Sequence, residues 1–263
     1  MHKVGVIRLG ILRGGLEFKQ FLRQKEVVFF SLLFPVMLLF IFGTIFSKNL
    51  APGVSFAQYF IAGMIASGLV NTGFQNLAIL IPMERDFGTL KRLRGTPLSP
   101  ISYFIGKAIV VALSLVLQVI LLVAIGWAFF HLHMPHSPAL WLRFFAILVL
   151  GSICSTVLGI AISALPKSGR GASAVISPIV IILQFFSGVF FVFTQLPHWM
   201  QQVASLFPLR WLTEGMRSVF LPDSFKSQEL THSWEVGKMF AVLGAWAIAG
   251  TILAVRSFKW SEE

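Results

Sequence analysis

Charge is what this chain has least of. Only 12% of its 263 residues are Asp, Glu, Lys or Arg, about half the share of a soluble globular domain. No charge falls from Asn49 to Met83, and none between Lys107 and Arg143. Runs of that length exceed the ~20 apolar residues that cross ~30 Å of hydrocarbon. An ordinary soluble domain is therefore excluded. The short alternating segments of a membrane barrel are missing too. Cysteine occurs once, at Cys154, so no internal disulfide forms. The sequence has no G-x-x-x-x-G-K-[ST] phosphate loop: Gly106-Lys107 and Gly237-Lys238 lack both the earlier glycine and the following Ser or Thr. H-E-x-x-H, G-x-S-x-G and the dinucleotide fingerprint are absent as well. The N-terminus has no uncharged h-region and no small-residue cleavage site, so a cleaved signal is not expected.

What is present is apolar. Hydrophobic residues make up 56% of the chain, 27 of them Phe, and mean hydropathy is +0.83. This composition predicts an all-α polytopic membrane protein. Six spans are expected near 27–46, 56–81, 101–130, 144–165, 172–193 and 239–255. The net charge of +11 would suit nucleic acid in a soluble protein. Here it reads as basic residues on cytoplasmic loops, with no nucleic-acid partner. Placing residues 1–25, 83–107, 166–171 and the C-terminal tail on one side gives that side most of the 21 lysines and arginines. Both termini are then cytoplasmic.

Residues 1–26 read as an interfacial helix or a solvated basic tail, divided at Gly14-Gly15, with Phe18, Phe21 and Leu22 on one face. Pro35 should kink span one, and Ser47–Ser55 should be a turn-rich loop. In span two, Ser67, Asn71 and Gln75 recur every four residues, as do Gly68, Thr72 and Asn76. Such rows share half a helix. They serve either interhelical hydrogen bonding or a polar pathway. On span five, Ser177, Gln184 and Ser187 are weaker pathway candidates. Gly151, Ser155 and Gly159 predict close helix packing, and Ala241, Ala245 and Ala249 a second such face. His131, His133 and His136 could suggest a metal, but Pro135 and Pro138 interrupt them and no Cys, Asp or Glu is near. Residues 195–238 read as short re-entrant or interfacial helices followed by an aqueous stretch. Trp199 and Trp211 would sit at interface depth, and Glu214 would pair along one turn with Arg210 and Arg217. No ionisable residue appears deep in spans one to five, so no proton relay is visible.

The exception to the apolar pattern is Met83–Pro100, with Glu84, Arg85, Asp86, Lys91, Arg92 and Arg94 between two uncharged runs. It predicts a short charged helix at the membrane surface, without a core of its own, that touches something soluble. Glu84-Arg85-Asp86-Phe87-Gly88-Thr89-Leu90, then Thr96-Pro97, resembles the coupling segment of ABC-2-type transporter permeases. Ser187-Gly188-Val189-Phe190-Phe191, Leu196-Pro197-x-Trp199, Pro208-Leu209 and Glu214-Gly215-Met216-Arg217 are similar to that family's segment after span five. The spacing matches over nearly the whole chain, and Phe34-Pro35-Val36 is closer to the drug and lipid branch. The resemblance implies a six-span half-transporter in the cell membrane that pairs with a second permease copy. It also implies two soluble ATPase subunits that bind ATP and Mg. Residues 83–100 would dock on the ATPase, and spans two and five would line the route of a hydrophobic or amphipathic substrate. A self-contained channel, or a protein that only recruits an ATPase, are the rival readings.

Overall fold

The computed structural model describes residues 5–46, 49–96, 98–166 and 168–257. Within it, six helices are long and apolar enough to cross a membrane. They are Lys25–Ile45, Phe56–Asp86, Pro100–Phe130, Pro138–Ile162, Gly169–Phe186 and Val236–Ser257, here spans one to six. The end of the bundle that carries Gly88 is called the lower end, and the end that carries Gly53 the upper.

Serines set the starts. Ser55 and Gln58 form a capping box on span two. Ser99, Ser137 and Ser168 accept from backbone N–H groups at the starts of spans three, four and five. Ser137-Pro138 explains one departure from expectation: span four begins six residues before Phe144 and takes Arg143 inside the helix. Proline at the first helical position is pre-shaped for it. Span five instead ends at Phe186, short of residue 193, because Gly188 (φ 75°) turns the chain back. Span six begins at Val236, three residues before the expected Met239. The kink expected at Pro35 gives way to a π-helical turn, Phe29–Leu33, after which Pro35 occupies the first turn of a new α segment. The loop expected before span two contains a small antiparallel hairpin, Asn49–Ala51 with Val54–Ser55. Ser47 and Lys48 lie outside the described residues.

The N-terminal helix, Val6–Arg23, runs unbroken through Gly14-Gly15. Gly10 and Gly14 are a packing face, and Gly15 is exposed within the unbroken helix. A Cβ on Gly10 would lie 2.6 Å from Ile105 Cγ2, and one on Gly14 2.8 Å from Ile109 Cβ. The helix thus lies directly on the first turns of span three. Span two is the core of the bundle, with Phe56–Leu69 entirely buried. Span four meets it backbone to backbone: a Cβ on Gly159 would lie 2.7 Å from the Gly73 carbonyl. That close approach uses the small residues Gly151, Ser155 and Gly159. The expected alanine face of span six is exposed. Leu243, Ala247 and Gly250 face inward in its place.

Two short helices, His198–Ser205 and Pro208–Phe220, precede span six. At their corner the Leu206 carbonyl accepts from Trp246 Nε1 at 2.9 Å. Trp246 is ten residues into span six, about 15 Å from its upper end at 1.5 Å per residue. The pair therefore dips halfway into the bundle and returns. The second helix is buried from Leu209 to Phe220, which rules out an interfacial position for it. Trp211, expected at interface depth, is buried and donates to the Ser205 carbonyl. The stretch expected to be aqueous is partly core, since Leu221, Phe225 and Glu229 are buried.

Candidate functional site

Five of the six pathway candidates come together. Asn71 Nδ2 donates to Ser67 Oγ (3.2 Å), and its Oδ1 accepts from Gln184 Nε2 (2.7 Å). One turn lower, Gln75 Nε2 donates to Ser177 Oγ (3.2 Å). The polar groups of spans two and five thus satisfy one another. Ser187 is elsewhere: it lies beyond the end of span five, fully buried, and its carbonyl accepts from Thr213 Oγ1. Gly68 also leaves the polar face, since the Gln118 side chain fills the space beside it.

The hydrogen bonds do not exhaust the row. Leu69, Val70, Leu77 and Ala78 on the other half of span two are buried. Asn71, Thr72 and Gln75 are half-buried, and Asn76 is exposed. A span that turns its apolar side inward and its amides outward is unsuited to lipid. It needs water or a second protein surface against it. The backbone is irregular at this point: Val70–Gln75 forms a π-helical segment, a distortion that frequently accompanies function in helices. Behind the seam, among spans two, four, five and six, lies a cavity of about 530 Å³ lined mainly by apolar side chains such as Phe74, Ile179, Leu183 and Trp246.

At the lower end the charged segment is not one free helix. Glu84, Arg85 and Asp86 belong to the last turn of span two, and each holds a neighbour. Glu84 accepts from Lys107 Nζ (2.5 Å) and Tyr103 Oη (2.6 Å). Arg85 Nη2 donates to the Pro166 carbonyl (2.7 Å), and Asp86 Oδ2 accepts from Gly169 N at the start of span five (2.5 Å). Gly88, in the left-handed region at φ 70°, reverses the chain into a separate helix, Thr89–Arg94. That helix has a core after all. Leu90 is 1% exposed and packs with Leu77, Ile81 and Tyr103. Thr96 Oγ1 donates to the Leu93 carbonyl and closes the segment; Pro97 lies outside the described residues. What points outward is Phe87, 71% exposed, and the side chains of Lys91 and Arg92.

Lys107, counted with the cytoplasmic charges and within the expected third span, is 1% exposed. It also pairs with Glu17 (3.0 Å), which pairs with Arg13 (2.7 Å). Four charges from three helices thus join, with Arg13 and Lys107 over the Tyr103 ring. Neither Glu17 nor Tyr103 stood out in the sequence. The available signal was Arg13–Glu17, an i,i+4 pair on the face that carries Gly10 and Gly14.

The re-entrant residues form a second cluster at the upper end. Glu214 pairs with Arg210 (2.6 Å), as its spacing suggested. Arg217 does not pair with Glu214. It reaches Glu229 (3.2 Å) and donates to the Gly188 carbonyl (2.9 Å). Glu214 instead accepts from Glu235 N. Glu229, in the presumed aqueous stretch, carried no sequence signal. Among the described residues no three His, Cys, Asp or Glu side chains gather as a metal would need.

A family model described as "ABC-2 type transporter" matches residues 15–221. "Probable multidrug ABC transporter permease YbhR" of Escherichia coli (strain K12) is 24% identical over 204 residues, covering 75% of this chain and 53% of that protein. The chain therefore spans about half the length of that relative. "Putative transport permease ycf38" of Cyanophora paradoxa is 27% identical over 257 residues, covering 92% and 86%. "Putative transport permease YvfS" of Bacillus subtilis (strain 168) is 22% identical over 192 residues, covering 73% and 77%.

Proposed function

Since the chain belongs to the ABC-2 type transporter family, we propose that it is the membrane subunit of an ATP-driven exporter, with two copies enclosing a route for a hydrophobic or amphipathic substrate. Two soluble ATPase subunits, which bind ATP and Mg, engage the lower end. That end is cytoplasmic, as are both termini, and the membrane is the cell membrane. The observation that carries the reading is the polar seam: amides turned outward along a span whose other half is core. A second copy facing the seam would enclose Asn71, Thr72, Gln75 and Asn76 between like surfaces. The apolar cavity behind it suits a lipophilic substrate.

Motion enters at Phe87. An exposed aromatic beside a left-handed glycine, flanked by cations, is a compact anchor for a groove on a partner. Glu84, Arg85 and Asp86 then pass the displacement to span three, to Pro166 after span four and to the start of span five through the bonds given above. Closure of the ATPase pair would tilt these elements together and open the seam to the other side.

Co-reconstitution with the cognate ATPase in liposomes tests this. ATP-driven efflux of a lipophilic dye is expected. Phe87→Ala should weaken ATPase association by about tenfold or more, the effect of losing an aromatic anchor, with the fold unchanged. Flux that ignores ATP and the partner would make this a channel. ATPase binding without flux in any assay would make it a recruiter. Labelling of a cysteine at position 87 from outside intact cells would overturn the orientation.

A further inference from the structure

Spans three and four touch sparingly, and the gap between them is an open apolar groove of about 1050 Å³. It runs along span three from Ile101 to Trp127, about 39 Å at 1.5 Å per residue, enough to cover the hydrocarbon thickness. Its floor includes the small side chains of Ala108 and Ala112. At the upper end it meets a second cavity of about 730 Å³, with Met134 lining both. The character changes there. The upper cavity carries Arg143, Lys226, His133, His136 and Asp223.

The charges in that cavity do not balance. Lys226 pairs with Asp223 at 2.9 Å. A hydrogen bond from Lys226 holds the Asp223 carboxyl below its ordinary range, against a smaller opposing effect of burial. Arg143 donates only to the Ser218 carbonyl and hydroxyl, at 3.3 and 3.4 Å, and has no carboxylate within ion-pair distance among the described residues. Arg143 lies about one and a half turns into span four, and its charge helps to lower the Asp223 carboxyl without forming an ion pair with it. The two imidazoles add ring N–H donors. Trp127 and Trp141 flank the groove near its upper end, where amphipathic rings sit at the headgroup level.

We propose that this composite site holds a membrane glycerophospholipid with an anionic headgroup, its phosphate on Arg143 and its acyl chains along spans three and four. The unpaired guanidinium selects the anion, since arginine recognises phosphate through parallel N–H donors. The continuous groove selects a lipid over a soluble anion. The site shares no lining residue with the seam or the cavity behind it, so it is a lipid anchorage distinct from the transport route.

The test uses the full chain in nanodiscs of equal dioleoyl-phosphatidylglycerol and dioleoyl-phosphatidylcholine, delipidated stepwise and weighed by native mass spectrometry. Phosphatidylglycerol should be retained over phosphatidylcholine by about tenfold: both carry the phosphate, but the choline cation of the latter would face Arg143 and Lys226. Arg143→Gln should abolish the preference, and Arg143→Lys should keep most of it. Ala112→Phe, which fills the groove and leaves the cations, should release both lipids. If Arg143→Gln does not fold, Lys226→Gln should show a weaker loss of preference. Equal retention of the two lipids, or a preference indifferent to these variants, overturns the proposal. So does displacement by free glycerol 3-phosphate, which would make the site one for soluble anions. A disulfide between copies carrying Ala112→Cys would place a second copy over the groove and overturn it as well.

Discussion

Two ion clusters pin this bundle, one at each end, and they are built alike. Each has two cations and two carboxylates beside a tyrosine ring: Arg210, Arg217, Glu214 and Glu229 with Tyr59 above, Arg13, Lys107, Glu17 and Glu84 with Tyr103 below. They differ in water and in wiring. The upper side chains are 0–4% exposed. Below, Arg13 and the two carboxylates are 16–17% exposed. The upper arginines share one helix, so that cluster cannot loosen without moving the whole re-entrant helix. The lower cluster draws on three helices and keeps a path to solvent, so its pairs can trade partners as the helices shift. One is a plug and the other a joint. A buried pair is costly to break because it strands a charge, whereas a hydrated one has water as a substitute.

Attacking the plug should do most damage. Glu229→Ala strands Arg217 and half of the Arg210 environment. It should cost about 3–5 kcal/mol, read as a lost or sharply lowered unfolding transition in detergent. At the joint, Glu84→Lys sets a lysine against Lys107 and should cost roughly 1–3 kcal/mol, discounted for the water around Glu84. Adding Lys107→Glu should recover most of that, and a double-mutant cycle would measure the coupling. If both ends lose equal stability, the distinction between plug and joint fails. Gly14→Val overpacks the N-terminal helix against Ile109. It should cost about 1–3 kcal/mol and increase hydrogen exchange in residues 6–23 before elsewhere. Phe87→Ala, which touches neither cluster, should change stability by no more than about 0.5 kcal/mol while uncoupling the ATPase. A charge reversal at Glu84 is thus the wrong probe of docking, because it loosens the bundle first.

The six spans were readable because twenty uncharged residues in a row have one stable home. Ends were less readable. Arg143 looked like a boundary and is inside span four, since Ser137-Pro138 caps the helix earlier than the apolar run begins. Gly14-Gly15 looked like a break, yet Gly14, with Gly10, is a contact surface. Glycine permits both, and the choice lies with Ile105 and Ile109 on another helix. Ser67, Asn71 and Gln75 were legible as one polar face by their spacing, and the hydrogen-bonding use of that face is the one the structure displays. Asn71 and Gln75 bond span five and still leave Asn76 outside. The partner of Arg217 was not legible: Glu214 is three residues away, yet Glu229 wins because the 223–228 turn folds back beneath the helix.

Composition, run length and local caps thus decide the class of this protein, the number of its spans and where most of them start. These are properties of a segment and its solvent, and they act without reference to the rest of the chain. Which charge meets which, whether a glycine bends or packs, and which side of a polar helix stays open depend on surfaces far apart in sequence. Those outcomes exist only once the helices are side by side. Water is then withdrawn, and an unpaired group has no other recourse than the neighbour the fold supplies.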